Sequence, residues 1–305
     1  MNQMYLLLIG VLGIAAVGSL LSGGDDDEEF DQGTPVPDIP FIDGTNDPDN
    51  LEGTAGDDLI RGLRGNDTID GGGGNDWIYA GEGNDEVAAD PGNDRIFLGG
   101  GDDVYGDYDI GTDEGSDTIE GGSGDDTITV NSGTHEIWGD DADGDLEGDD
   151  SITAYGGQVT IHGGKGNDTL AAFDGTAGGE GVSDTLYGGD GNDVIHVGSG
   201  NFADGGDGRD IYHLSADMDE STIAYGQGDT VVINYEGSPD SPPEVQVVQA
   251  GDDAQVVVNG TLLATLKNTQ ADSVRTDLNA TPRPAGGGYV PPVTDPEPVV
   301  VGPYL

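Results

Sequence analysis

Between Gly53 and Gly106 an aspartate recurs every nine residues: Asp58, Asp67, Asp76, Asp85, Asp94 and Asp103. A glycine stands two places before each of them (Gly56, Gly65, Gly74, Gly83, Gly92, Gly101). Two places after each comes a large side chain, mostly β-branched: Ile60, Ile69, Ile78, Val87, Ile96 and Tyr105. Carboxylates are hard oxygen donors, and a hard cation such as Ca²⁺ takes about 6–8 oxygens at roughly 2.3–2.6 Å. One aspartate per unit cannot supply that number, so backbone carbonyls and a neighbouring unit must contribute. Glycine suits such a turn because it takes positive φ freely and lets carbonyls come close. A flexible Gly/Asp linker has no reason to hold an aliphatic residue two places after every acid.

Six nonapeptides run without a gap from GTAGDDLIR at 53–61 to LGGGDDVYG at 98–106, with all three positions in phase. The pattern resembles the GGxGxDxUx calcium-binding nonapeptide of the RTX (hemolysin-type) repeat family, U being a large apolar residue. The resemblance implies an all-β fold, a right-handed parallel β-roll solenoid. In it the first six residues of a unit form a Ca²⁺-binding turn and the last three a short strand. Two units make one coil, so the partner of each turn is the one two units on. Asp58, Asp76 and Asp94 then line one edge, and Asp67, Asp85 and Asp103 the other. Several Ca²⁺ ions are expected between successive turns, stapling coil to coil.

The phase continues, with interruptions, through Asp117, Asp126, Asp150, Asp168, Asp184, Asp193 and Asp210. His135 and Val159 stand where an aspartate belongs, and the unit at 197–205 is degenerate. Such units are expected to keep the strand without a full metal site. Insertions near 107–112, 139–147 and 174–182 should bulge from the turns. The acids of the second insertion do not make an EF-hand: with Asp143 as its first position Gly148 falls correctly at the sixth, but Ala154 occupies the twelfth, where glutamate is required. An irregular extra Ca²⁺ site is allowed there. The roll is expected over 51–213, in about nine coils.

The elements around the repeats differ in composition. Met4 to Leu21 is an uncharged apolar run, roughly 27 Å long as a helix. Residues 1–24 are therefore expected to enter a membrane, as an anchor or a cleaved secretory signal. Residues 25–50 combine acids with Pro35, Pro37, Pro40 and Pro48 and read as an extended linker. From Leu214 glycine thins out and alternating strands appear at 230–236, 244–249, 254–259 and 261–266, the last two joined by the hairpin signal Asn259-Gly260. An antiparallel β cap is expected over 214–280, covering the edges of the last coil. Residues 281–305 form a Pro-rich tail.

A formal net charge of −53 excludes nucleic acid as a partner, since binding it requires basic surface. The same charge makes the metal-free chain resist compaction, which couples folding to cation binding. Cysteine is absent, which fits a secreted chain stapled by metal. No H-E-x-x-H, G-x-S-x-G or P-loop occurs, and His135, His162, His196 and His213 fall at repeat positions. The expectation is a non-enzymatic bacterial protein, extracellular or on the cell surface and touching membrane only through residues 4–21. Its role would be structural or adhesive, through calcium and cell-surface or matrix polysaccharide. The alternative is a Ca²⁺-dependent carbohydrate-binding module or accessory to a polysaccharide-acting enzyme. Tyr105, Tyr108, Trp138, Tyr155, Phe173 and Tyr187 would then form its platform.

Overall fold

The computed structural model describes residues 39–88, 91–106, 115–141, 146–173 and 183–281. The expected signal or anchor, the linker up to residue 38, Tyr108, and the tail from 282 lie outside the described residues, as do most of the three insertions. Strands alternate between two sheets. The first holds, in spatial order, Phe41–Asp43, Leu59–Arg64, Trp77–Glu82, Arg95–Gly100, Thr118–Ser123, Thr134–Trp138, Gln158–Lys165, Thr185–Gly191, Phe202–Gly208 and Ser221–Ala224. The second holds Asn50–Thr54, Thr68–Gly72, Glu86–Ala88, Val104–Gly106, Thr127–Asn131, Ser151–Tyr155, Thr169–Phe173, Val194–His196, Ile211–Ser215, Thr230–Glu236 and Thr276–Thr281. Every pairing among these strands is parallel and joins strands one coil apart, the arrangement of a parallel β-roll.

The register explains the aliphatic residue after each acid. Ile60 pairs with Ile78, Ile78 with Ile96 and Ile96 with Ile119, all fully buried. In the second sheet Ile69, Val87, Tyr105, Ile128, Ile152 and Leu170 form the matching column. Side chains alternate across a strand, so a three-residue strand presents one such residue inward. The core is therefore two facing columns, with Ala80, Leu98, Val130 and Ala154 filling the next layer. Each buried Ile contributes about 1.5–3 kcal/mol. A core this narrow leaves the turns to supply the remaining cohesion.

Parallel pairing reaches beyond 51–213 at both ends. Phe41–Asp43 pairs with Leu59–Arg64, so the first coil begins inside the segment expected as linker. Pro40 is accommodated because it precedes the strand, and its carbonyl accepts from Leu59 N at 2.9 Å. At the other end, Thr230–Glu236 continues the second sheet, and Thr276–Thr281 adds to it in parallel. The antiparallel part of the cap is thus limited to Val245–Ala250, Asp253–Val258 and Thr261–Leu266. It joins the roll through Thr261–Leu266, which lies parallel to Ser221–Ala224. Asn259 and Gly260 take φ of 51° and 86° between the last two strands, as the hairpin signal requires.

Candidate metal centre

The repeat aspartates stack in two columns, one at the entrance to each sheet. In the second-sheet column the backbone N–H of each acid donates to Oδ1 of the acid one coil on: Asp67 to Asp85 at 2.8 Å, Asp85 to Asp103 at 2.7 Å, and Asp103 to Asp126 at 2.8 Å. The series continues from Asp126 to Asp150, Asp168, Asp193 and Asp210 at 2.8–3.0 Å. From Asp67 to Asp210 every one of these acids is buried, and its Oδ2 is buried with no hydrogen-bond partner. One oxygen of each carboxylate therefore ties the coils together while the other is left facing the turn.

The first-sheet column begins the same way. Asp58 donates to Asp76 at 2.8 Å, Asp76 to Asp94 at 2.7 Å, and Asp94 to Asp117 at 2.9 Å. It then departs from the pattern. His135 fills the next place, with its ring Nδ1 3.0 Å from Asp117 Oδ2 and its Nε2 against the Ser132 carbonyl. Both side chains of the pair are buried, so the ring stands directly against the Asp117 carboxylate, where other turns of the roll leave an oxygen unpartnered. Val159 follows, and its N–H donates to Asp184 Oδ1 at 3.0 Å. Above Asp184 sits Asn201, whose Oδ1 accepts from Asp184 N at 2.9 Å while its Nδ2 donates to Asp184 Oδ2 at 3.1 Å. The two columns are thus unequal: the second-sheet column keeps its carboxylates unbroken, and the first loses them after Asp117, with Asp184 isolated.

The fourth-position glycines set the spacing between turns. A Cβ on Gly83 would collide with the Gly65 carbonyl oxygen, and one on Gly101 with that of Gly83. Gly65, Gly74, Gly83 and Gly101 hold φ of 130–138°, which side chains rarely adopt. Gly92 lacks the positive φ but presses on the Gly74 carbonyl in the same way. Gly56 has neither constraint: it starts the stack, and a Cβ there would meet nothing within 4 Å. A second ladder runs outside the first in the opposite sense. Oδ1 of Asp57 accepts from Asn75 N at 2.8 Å, Asn75 Oδ1 from Asn93 N at 3.0 Å, and Asn167 Oδ1 from Asn192 N at 3.0 Å. Each turn is pinned toward one neighbour by its aspartate and toward the other by the residue before it.

Electrostatics make this column costly without a counter-ion. Burial, reinforced by neighbouring acids, pushes the carboxyl of Asp103 up to about 7, Asp126 to about 8, Asp150 to about 7 and Asp168 to about 8. Asp85, Asp193 and Asp210 rise to about 6 for the same leading reason. Buried carboxylates with an unused oxygen, in turns built from glycine carbonyls, fit a hard divalent cation. Among the described residues no three His, Asp or Glu side chains converge on one point. A cation here must therefore draw much of its shell from the backbone, as one acid per unit requires.

The model of the RTX calcium-binding nonapeptide repeat matches residues 43–78, 71–105, 112–144, 145–175 and 178–201. The chain is an RTX-type repeat protein. RTX nonapeptide repeats bind Ca²⁺, and the column acids from Asp58 to Asp193 lie within the matched residues. No curated protein matches the chain. Among solved structures, the extracellular lipase LipA from Serratia marcescens aligns at 17% identity over 75% of this chain, with a TM-score of 0.17. The chain spans 40% of that lipase's length, and a likeness at this score carries no argument about activity.

The column reaches further than the repeat pattern suggested. Asp210 does not end it: its N–H donates to Oδ1 of Asp229 at 3.1 Å, and Asp229 is buried. At the start, Asp49 N donates to Asp67 Oδ1 at 2.8 Å. Both carry a fragment of the signature, a large residue two places on (Leu51, Val231), without the full glycine framing. Of the aromatic residues expected to form a platform, Tyr105 is buried in the core. Tyr79 and Phe97 stack at 4.8 Å, Trp138 on His162 at 5.4 Å, and His162 on Tyr187 at 5.0 Å.

Proposed function

We propose that this chain is a non-catalytic bacterial calcium-binding protein that works outside the cell, secreted or held at the surface by residues 4–21. Its task is structural or adhesive, and its roll forms when Ca²⁺ enters the turns. The proposed ligands are Asp58, Asp67, Asp76, Asp85, Asp94, Asp103, Asp117, Asp126, Asp150, Asp168, Asp184, Asp193 and Asp210, with carbonyls of the turn glycines. The observation that carries the reading is the unbroken series of buried, unpartnered Oδ2 atoms from Asp67 to Asp210. With a net charge of −53, such a chain has no other source of neutralisation on this scale. Inside a cell, where calcium is scarce, it would stay loose, the state that export needs. Outside it would fold, as metallo-domains do when binding and folding are one event. Among the described residues no helix is long and apolar enough to cross a membrane, and residues 4–21, the proposed tether, lie outside them.

Adhesion through calcium shared with acidic polysaccharide fits the exposed acid rows better than an aromatic sugar platform does. Rings stacked on one another along the roll, with interplanar angles of 5–13°, have given their faces to each other. A sugar would meet their edges. The test is circular dichroism of the full chain titrated with Ca²⁺, then with chelator. A transition from coil to β signal, reversed by the chelator, is expected. A chain that stays compact and protease-resistant in excess EDTA would overturn the reading.

A further inference from the structure

The turn between Thr134–Trp138 and Ser151–Tyr155 differs from its neighbours in one respect that the nonapeptide pattern does not contain. Its second position is Asp140. The places one coil below and above are Gly122 and Gly164, with φ of 117° and 119°. The alignment is set by the backbone: Gly122 N donates to Gly139 O at 2.9 Å, and Asp140 N to Gly163 O at 3.3 Å. Asp140 is not among the residues with positive φ, so its backbone departs from the shape the glycines hold. A carboxylate can therefore stand where the repeat demands a bare Cα. It points inward and is 1% exposed.

The side chain is half used. Its Oδ2 accepts from Lys165 N at 2.6 Å, while its Oδ1 is buried with no hydrogen-bond partner. The repeat acid of the same turn, Asp150, is in the same condition. Its Oδ1 accepts from Asp126 N at 2.9 Å, and its Oδ2 is buried and unpartnered. That Oδ2 lies against the Cα of Gly139, the residue before Asp140: a Cβ added there would run into it. Two unused carboxylate oxygens thus share one turn, where other turns in this column offer one.

We propose that Asp140 and Asp150 together form a two-carboxylate Ca²⁺ site at the 139–147 insertion, and that this turn binds the ion more tightly than any other in the roll. The inference rests on the calcium reading of the turns and adds a ligand outside the repeat signature. Ligand charge count is a main control of Ca²⁺ affinity, so a second acid in one turn makes it the first to fill. Folding would then start in the middle of the roll and spread both ways, as stacked coils permit.

The chain's own tryptophans supply the probe. There are two, Trp77 and Trp138, and Trp138 stands two residues before Asp140. In the full chain carrying Trp77→Phe, terbium luminescence excited through Trp138 reports this turn, and Ca²⁺ competition reports its affinity for the natural ion. Substoichiometric Tb³⁺ is expected to light the Trp138 signal first. Asp140→Asn keeps the acceptor for Lys165 N but removes the charge, and is expected to move the midpoint up by about tenfold. Glu147→Gln removes one charge from the same loop at an exposed position and is expected to move it less than twofold. An unchanged midpoint in Asp140→Asn, equal shifts in the two variants, or no Trp138-sensitised signal would each overturn the proposal. Calcium-driven circular dichroism on the same samples separates this from the parent reading. If the Asp140→Asn chain still folds on Ca²⁺, the repeats bind calcium whatever Asp140 contributes.

Discussion

Replacing Asp126 with asparagine should have opposite effects on the metal-free and the calcium-bound chain. Asp126 lies in the middle of the unbroken column: its Oδ1 accepts from Asp103 N at 2.8 Å, and its own N–H donates to Asp150 at 2.9 Å. Burial, with Asp103 and Asp150 adding to it, raises its carboxyl from 3.8 to about 8. Because the folded value lies above the unfolded one, the acid's contribution to the metal-free fold is complete below 3.8 and is lost as pH rises toward about 8. At neutral pH the unfolded chain is ionised while the metal-free fold must hold a proton. Neutral pH stands about three units above the unfolded acid's own value, and at 1.36 kcal/mol per unit keeping the proton costs at most roughly 4 kcal/mol. Asparagine never meets that cost. It keeps the acceptor for Asp103 N and places an N–H₂ where Oδ2 was, much as Asn201 already does above Asp184. In EDTA, the pH at which β signal is lost should therefore move upward in Asp126→Asn by about one unit or more. In the calcium titration the same variant loses a charged ligand, and its midpoint should rise about tenfold. Circular dichroism reads both. A pH midpoint that stays put or falls would show that the column carries no buried-charge penalty, and the case for metal-driven folding would lose its physical basis.

The remaining expectations follow from the same geometry. In EDTA the unmodified chain should gain β signal as pH falls from about 8 toward 5, since Asp103, Asp150 and Asp168 take up protons at about 7 to 8; a pH-independent spectrum would contradict this. Gly166→Ala should abolish calcium-dependent folding, because at φ 137° its Cβ would strike the Gly148 carbonyl oxygen. Gly251→Ala, in an open turn at φ 71°, should cost only about 1 kcal/mol by urea denaturation in calcium. Ile161→Ala, fully buried in the first-sheet column, should cost about 2–5 kcal/mol in the same assay, and Tyr155→Ser on the exposed face far less.

Much of the fold was legible because the repeat carries its information in three residue types with separate physical reasons. Glycine fixes how closely turns approach, aspartate ties one coil to the next, and the aliphatic residue fills the core. Where all three coincide, as at Gly74, Asp76 and Ile78, the pattern locates the turn, the column and the sheet at once. Where one is missing, the pattern stops short of the structure. Asp49 and Asp229 lack the glycine framing, and the strands 41–43 and 230–236 beside them extend the roll past the expected ends. The antiparallel cap is smaller than expected for a related reason. Alternation marks 230–236 and 261–266 as strands but cannot tell whether a partner arrives parallel or antiparallel, and both segments take parallel partners in the roll.

The substitutions within the columns were visible as departures, but their consequence was not. His135 reads from sequence as a failed metal unit, yet its ring gives the Asp117 carboxylate a close partner where the turns of the other column leave Oδ2 without one. Asn201 does the same for Asp184 with a neutral amide. Both replacements fall in the first-sheet column, whose dependence on calcium is thereby relaxed in the second half of the roll. The second-sheet column has no such substitute from Asp67 to Asp229, and it gains Asp140 in the turn where the first column has just lost its acid. Demand for the ion is thus concentrated along one edge. Calcium withdrawal should open that edge first, leaving the His135 and Asn201 side as the last contact between coils. Hydrogen exchange during slow chelation reads this directly: amides of Thr127–Asn131 and Ser151–Tyr155 should lose protection before those of Thr134–Trp138 and Gln158–Lys165. Simultaneous loss in both sheets would mean that the two edges are equally dependent on the metal, whatever stands in their columns.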